Sequence, residues 1–326
     1  DDVFAFHERR DAETEAAAAM CDRFVHKTLD VAGWRREILA DAPHVLIYPG
    51  LLMDNVSLLL AAQRLAPVQC NSWGHPTTSG FPTLDYFLSS DLMEPENGQD
   101  FYTERLVRLP NLSIYYEPPE AAPAGAADIG LRPGAVRFWC GQSIQKYLPQ
   151  HDAVFARIAK EAGDCQFVFI ASQVSAQVSD QFRARIARAF AAEGLDAAQY
   201  CVFLPRMAER DFSAALGQCD IFLDSIAWSG CNSTLESLPY DLPIVTVPGT
   251  QMRGRHSMAI LKMMGVTSTI AGSVDAYVTM AARLARDGSE RAGVKAQIAA
   301  NKHKVYRDRS VVTALEDFLE KAAREG

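Results

Sequence analysis

Four cations in the second half of the chain stand just beyond apolar runs that read as strands. Lys146 follows Val136–Cys140, Arg206 follows Cys201–Leu204, and Arg253 and Arg255 follow Pro243–Val247. A fifth such end, after Ile221–Asp224, carries Gly230-Cys231-Asn232-Ser233-Thr234-Leu235-Glu236. That loop delivers Asn232, Ser233 and Thr234 to a helix start, where unpaired backbone N–H groups and the positive end of the helix dipole favour an anion. Arg253 and Arg255 precede the helical segment Ser257–Met264, an unfavourable end for cations that a bound anion would relieve. Lys146 can reach a phosphate, and Gln142 can bond a base or phosphate. Glu236 cannot face a phosphate, but it can accept hydrogen bonds from sugar hydroxyls. The competing reading of Ser233 and Glu236 is a capping box, whose spacing they share and which needs no ligand. Lys146 read alone is as well explained as a solvated lysine opening a helix. Their convergence on strand carboxyl ends, where doubly wound sheets bind ligands, favours a phosphate-bearing ligand.

The first half offers a second cluster. Ala66-Pro67-Val68-Gln69-Cys70 leads into Trp73-Gly74-His75-Pro76-Thr77-Thr78-Ser79-Gly80, then Leu84-Asp85-Tyr86. Glycines beside small hydroxylated residues allow a close backbone approach to a ligand, and His75 can carry a proton. A single loop histidine is more often structural or merely exposed. Asp41 and His44 flank the strand His44–Tyr48, and a strand boundary explains them as well as chemistry does.

These residues need a scaffold of alternating strands and helices, and the sequence supplies one. Strands are expected at Val3–His7, Arg23–His26, His44–Tyr48, Val68–Trp73, Leu84–Leu88 and Arg105–Leu109. Helices are expected at Ala12–Asp22, Val31–Leu39 and Val56–Leu65. The stretch 117–135, rich in Pro, Ala and Gly and without periodicity, reads as a linker. A second unit, 136–272, repeats the alternation. Its strands are Val136–Cys140, Gln166–Ala171, Cys201–Leu204, Ile221–Asp224 and Pro243–Val247. Helices near Asp152–Ala162, Ser179–Glu193, Glu209–Gln218 and Ser257–Met264 connect them, and 273–326 reads as three further helices. Strands alternating with helices imply βαβ units, parallel sheets and a doubly wound α/β fold in each half.

Composition narrows the partners. A net charge of −8 without a basic run argues against nucleic acid. Seven scattered cysteines without CxxC pairs read as reduced core residues of a cytoplasmic protein. No apolar stretch reaches the roughly 18 residues that a membrane helix needs.

Ala66-Pro67-Val68-Gln69, Gly74-His75-Pro76-x-Thr78-Ser79-Gly80 and Asp85-Tyr86 resemble the catalytic region of O-linked N-acetylglucosamine transferases, and most of all the bacterial SPINDLY-like branch. The resemblance continues in Gln142-x-x-x-Lys146, Leu223-Asp224, Gly230 to Glu236 and Pro243-x-Val245-Thr246-x-Pro248-Gly249, and so spans almost the whole chain. It implies a GT-B architecture: two Rossmann-like domains (1–116 and 136–272) facing a central cleft. The implied activity is inverting and metal-independent, a view with which the lack of an Asp-x-Asp motif agrees. The implied donor is a nucleotide sugar, UDP-GlcNAc first, with GDP-fucose or a UDP-hexose as alternatives, and no cofactor is implied. The implied acceptor is a Ser or Thr hydroxyl of a protein. Lys146 would then bind the diphosphate, Gln142 the nucleotide, Asn232 and Ser233 phosphate, and Glu236 the ribose. Asp41 would match an acid near the reaction centre, and His75 a loop facing the cleft. Animal members carry a histidine where Cys231 stands, and a lysine where Glu209 stands, which leaves uridine and guanosine donors both open. A glycan or small-molecule acceptor, or a non-catalytic nucleotide-sugar-binding module, are the other readings. The family's TPR-like helical repeats, which hold protein acceptors, lie outside this chain and are expected upstream.

The resemblance carries one structural expectation. In this fold the first strand of a Rossmann half is central in its sheet. If Val3–His7 is the second strand, the N-terminal sheet should show an open central slot.

Overall fold

The computed structural model describes residues 2–6, 10–122 and 129–325. His7 of the expected first strand and residues 123–128 of the expected linker lie outside the described residues. The chain forms two compact units. The first comprises residues 1–89, 97–109 and 313–326, and the second residues 90–96 and 110–312.

The first unit holds β1 (Asp2–Ala5), α1 (Ala12–Met20), β2 (Arg23–His26), α2 (Val31–Asp41), β3 (Val45–Tyr48) and α3 (Asn55–Ala61). It continues through β4 (Val68–Ser72), β5 (Tyr86–Ser90) and β6 (Arg105–Leu109). Each of its helices opens on an aspartate (Asp11, Asp30 and Asp54) whose side chain accepts a backbone N–H of the first turn. The strands make two sheets, a parallel pair β1-β2 and a four-stranded sheet ordered β3-β4-β5-β6. The pairs β3-β4 and β4-β5 are parallel. Among the described residues neither β1 nor β2 pairs with β3, although both sheets feed one core. Phe4, Val25, Leu46 and Tyr48 pack there with Trp34, Ile38, Leu60 and Leu65.

The second unit contains β7 (Val136–Cys140), α4 (Ala153–Ala162), β8 (Cys165–Ile170), α5 (Ala176–Ala192), β9 (Cys201–Leu204), α6 (Glu209–Leu216) and β10 (Ile221–Leu223). Then come α7 (Asn232–Ser237), β11 (Ile244–Val245), α8 (His256–Met264), α9 (Val274–Arg286) and α10 (Gly288–Asn301). Its strands read as continuous apolar runs because helices cover both faces of the sheet. Phe138, Trp139, Phe167, Val168, Phe169, Ile221 and Phe222 are all fully buried. The five strands are parallel in the order β11-β10-β7-β8-β9. The chain winds outward from β7 to β9, returns, and winds the other way through β10 and β11. The topological switch therefore lies between β7 and β10, and ligands of such sheets sit beyond the strand ends there.

The last helix, α11 (Ser310–Glu325), falls with the first unit from Thr313 onward. Phe318 on it meets Tyr86 edge-on at 5.1 Å. Residues 90–96, 110–135 and the helices α9 and α10 group with the second unit, and most of α11 with the first.

Candidate active site

The two strands at the switch supply the site in the second unit. After β7 the chain turns through Gly141 and a 3-10 helix, Ile144–Lys146. The Lys146 ammonium donates to the Ser229 carbonyl at 3.0 Å. Among the described residues no carboxylate lies within ion-pair distance of it. Burial lowers its pKa, while Asp224 pulls the other way. A cation held away from water with one carbonyl partner is poised for an anion.

After β10 the loop 224–231 arrives from the other side of the switch. Ala227 takes a left-handed φ of 72°, a costly conformation for a residue with a Cβ and one that clusters at functional loops. The Gly230 N–H donates to Asp224 Oδ1 at 2.7 Å. Helix α7 begins at Asn232, and no side chain caps it. The Ser233–Glu236 capping box is therefore not formed. The N–H groups of Thr234 and Leu235 both reach the Cys231 carbonyl at 3.0 Å. This leaves the Asn232 and Ser233 amides at the helix start without a partner among the described residues. Glu236 is half-buried, and burial, with Glu209 nearby, raises its pKa.

Beside this loop lies a cavity of about 300 Å³ lined by Gln142, Gln145, Gln173, Arg206, Glu209 and Phe212, among others. Arg206 bonds Gln173 across it. Lys146 is not in its wall, and Glu209 links the cavity to Glu236 electrostatically.

Three expected ligands already have partners within the protein. Thr234 is fully buried, and its hydroxyl contacts the Gly230 carbonyl and Ser257 Oγ. It secures the loop from within and does not face a ligand. Gln142 touches the cavity, but its carboxamide accepts from the Tyr147 hydroxyl at 2.5 Å and donates to the Leu223 carbonyl at 3.3 Å. It ties the ends of β7 and β10 together, which leaves at most one N–H for a nucleotide. Arg255 donates to the Met93 carbonyl at 2.8 Å and to that of Gly249 at 3.3 Å. Those carbonyls hold it before α8, with the Glu94 carboxylate acting on its charge from nearby. Arg253 lies 6.0 Å from the Trp228 ring centroid, a cation–π distance.

In the first unit, His75 sits on the loop after β4, at the carboxyl end of its sheet. Gly74 makes this possible, because its N–H reaches the Pro49 carbonyl at 3.0 Å and a Cβ there would lie 2.2 Å from that oxygen. Glu104, which the sequence did not single out, holds the loop. It is buried and accepts from the Ser79 N–H at 2.8 Å, the Thr78 hydroxyl at 2.6 Å and the Ser79 hydroxyl. Burial alone would raise its pKa, but these bonds from Ser79 and Thr78 bring it below the usual glutamate value. Asp41 lies elsewhere. It ends α2 just before β3 and pairs with Arg23, the first residue of β2, so it belongs to the amino ends of the strands. With β3 running away from it for some 13 Å at about 3.3 Å per residue, Asp41 is not assembled with His75.

Comparison with known proteins accords with this geometry. No family model matches the chain. It is 31% identical over 234 residues to a probable UDP-N-acetylglucosamine–peptide N-acetylglucosaminyltransferase SPINDLY of Solanum lycopersicum, a match covering 72% of this chain and 25% of that protein. It is 23% identical over 260 residues to a UDP-glucose:protein N-beta-glucosyltransferase of Actinobacillus pleuropneumoniae, covering 79% of this chain and 40% of that protein. The chain thus spans about a quarter of the length of the first of these relatives. An O-GlcNAc transferase mutant of Thermobaculum terrenum superposes with a TM-score of 0.87 and 25% identity over 99% of this chain and 61% of its own. The trehalose-6-phosphate synthase OtsA shares the fold alone, with a TM-score of 0.57 and 14% identity over 89% of this chain and 75% of its own. Two Rossmann-like units, a polar site at the switch of the second and these likenesses agree: the chain carries a catalytic region of the O-GlcNAc transferase and SPINDLY-like type, among the glycosyltransferases of GT-B fold.

Proposed function

We propose that this protein transfers a sugar from a nucleotide-diphosphate donor to a Ser or Thr hydroxyl of a protein. GlcNAc from UDP-GlcNAc is the first choice of donor. The carrying observation is the half-buried Lys146 ammonium at the topological switch, whose one bonded partner among the described residues is the Ser229 carbonyl. The acceptor oxygen attacks the anomeric carbon as the bond to the diphosphate breaks, which inverts that centre, and the hydroxyl proton leaves to a base. Charge then grows on the diphosphate. Lys146 and the open amides of Asn232 and Ser233 meet it with fixed positive ends, the role that a metal ion plays in other transferases. Glu236, unused by capping, takes the ribose hydroxyls, and the cavity at Glu209 and Gln145 takes the base.

Glu209 favours a second donor reading. A carboxylate accepts two adjacent N–H donors of a guanine edge, whereas uracil presents mostly acceptors. A GDP-sugar is therefore the alternative. The test incubates the chain with Ser/Thr peptides, EDTA, and either UDP-GlcNAc or GDP-fucose, with peptide mass as the readout. A sugar added to a hydroxyl from either donor supports the proposal. Donor bound but neither hydrolysed nor transferred means a binding module instead.

A further inference from the structure

We infer that Asp224 is the positioning residue of the donor site: it fixes the Ser229–Gly230 loop and, through the Ser229 carbonyl, the ammonium of Lys146. This inference rests on the donor-site reading above, and its geometry is complete on its own. Asp224 is 3% exposed. Its Oδ1 accepts the Gly230 N–H at 2.7 Å. Its Oδ2 accepts the Ser229 hydroxyl at 2.6 Å and the Thr246 hydroxyl at 2.7 Å. Its own backbone is held as well, with the N–H on the Val245 carbonyl at 3.0 Å and the carbonyl on the Tyr277 hydroxyl at 3.0 Å.

The consequence for the loop is that every polar group of two successive residues is tied. The Ser229 N–H donates to the Arg253 carbonyl, its hydroxyl to Asp224, and its carbonyl accepts Lys146. The Gly230 N–H donates to Asp224, and its carbonyl accepts from Thr234 and Ser257. A buried carboxylate with three donors organises this network, and such networks hold one geometry because a half-satisfied alternative is costly.

Charge adds a second role that a neutral staple could not perform. Three titratable groups face Lys146 from the elements packed on it: Asp224 after β10, Cys231 at the start of α7 and His256 in α8. Burial pushes the Cys231 thiol up to about 12 and, with Lys146 nearby, the His256 imidazole down to about 3, so both are neutral near pH 7. Asp224 alone of the three supplies a counter-charge. Burial raises the pKa of Asp224 as well, while the bonds from Gly230, Ser229 and Thr246 favour its charged form, and that charge opposes the lowering of the Lys146 pKa by burial.

The experiment compares wild type, Asp224→Asn, Ser229→Ala and Lys146→Arg in the whole chain. UDP and GDP binding is followed by calorimetry between pH 6 and 10, and the Lys146 ε-methylene is titrated by NMR without nucleotide. Asp224→Asn should weaken binding at least roughly tenfold and move the alkaline loss of affinity, and the Lys146 titration with it, down by about one pH unit. Ser229→Ala removes one of the donors to Asp224, together with the Ser257 contacts of that hydroxyl, and keeps the charge, so it should weaken binding about threefold and leave the titration in place. Lys146→Arg should abolish the alkaline loss. A Lys146 titration unmoved by Asp224→Asn overturns the inference. If that variant does not fold, Ser229→Ala decides, and unchanged affinity overturns it. Wild type binding neither nucleotide, with the Lys146 titration moved as stated, overturns the donor-site reading and leaves the Asp224–Lys146 coupling intact.

Discussion

Glu236 shows how a single residue separates the two readings of its loop. It caps nothing, so its carboxylate is available to hydroxyl donors. Glu236→Gln should therefore weaken nucleotide binding about tenfold, with stability within about 0.5 kcal/mol of wild type. A change in melting temperature without a change in affinity would return Glu236 to a structural role. The sign of its pH dependence follows from its raised pKa. The carboxylate gains its proton at a pH above the ordinary glutamate range, so nucleotide affinity should begin to fall on acidification before an exposed glutamate would titrate. Calorimetry from pH 7 down to 4.5 checks this. The sequence placed Lys146 beyond a strand and Glu236 within a short helix, which is where both stand. It did not show that Thr234, Gln142 and Arg255 have partners within the protein, because residue type reveals a donor or acceptor but not whether a neighbour already uses it. Ser257 and Met93, 23 and 162 residues away, engage Thr234 and Arg255, and Tyr147, five residues on, engages Gln142.

Elements were more legible than contacts. The alternation of apolar runs and helices located each strand among the described residues, even β4, a buried parallel strand that carries Gln69 and Asn71. The hold of Glu104 on the His75 loop stayed hidden, since Ser79 and Glu104 lie 25 residues apart and nothing local marks the pair. Glu104→Ala would leave the Ser79 N–H without its acceptor, and the Ser79 and Thr78 hydroxyls with only their contacts to Phe81 and Thr103, and should cost about 2–3 kcal/mol in thermal or denaturant unfolding. Because its folded pKa is depressed, the Glu104 contribution is fully present above the unfolded value. It is lost as pH falls through the lower folded value. An unfolding series from pH 7 to 3 should show the wild type converging on Glu104→Ala at the acid end. The expected open slot also belongs to this scale. The strands β1 and β3 each pair on one side only, and β3 is half-buried although wholly apolar at Val45-Leu46-Ile47. Amides on their unpaired sides should exchange with solvent far faster than those of β7, which is paired on both sides. Equal protection of β3 and β7 in hydrogen exchange would mean that the edge is closed.

At the scale of the whole molecule, two Rossmann-like units carry unequal shares of the chemistry. The second has a complete five-stranded sheet with its switch at β7 and β10, and every residue assigned to the donor lies in it. The first presents a histidine loop braced by Glu104 and a sheet in two pieces. The family resemblance read from sequence accords with the superposition on the Thermobaculum protein, while the donor base stayed open because Glu209 lines the cavity proposed to read it. The claim on which all else rests is that Lys146 receives a diphosphate. Calorimetric titration of wild type and Lys146→Ala with UDP and GDP tests it most directly. Wild type should bind at least one nucleotide, and Lys146→Ala should bind it about 10–100-fold more weakly, as loss of a charge-assisted bond of about 1.5–3 kcal/mol requires. Unchanged affinity in a folded Lys146→Ala protein would contradict the account.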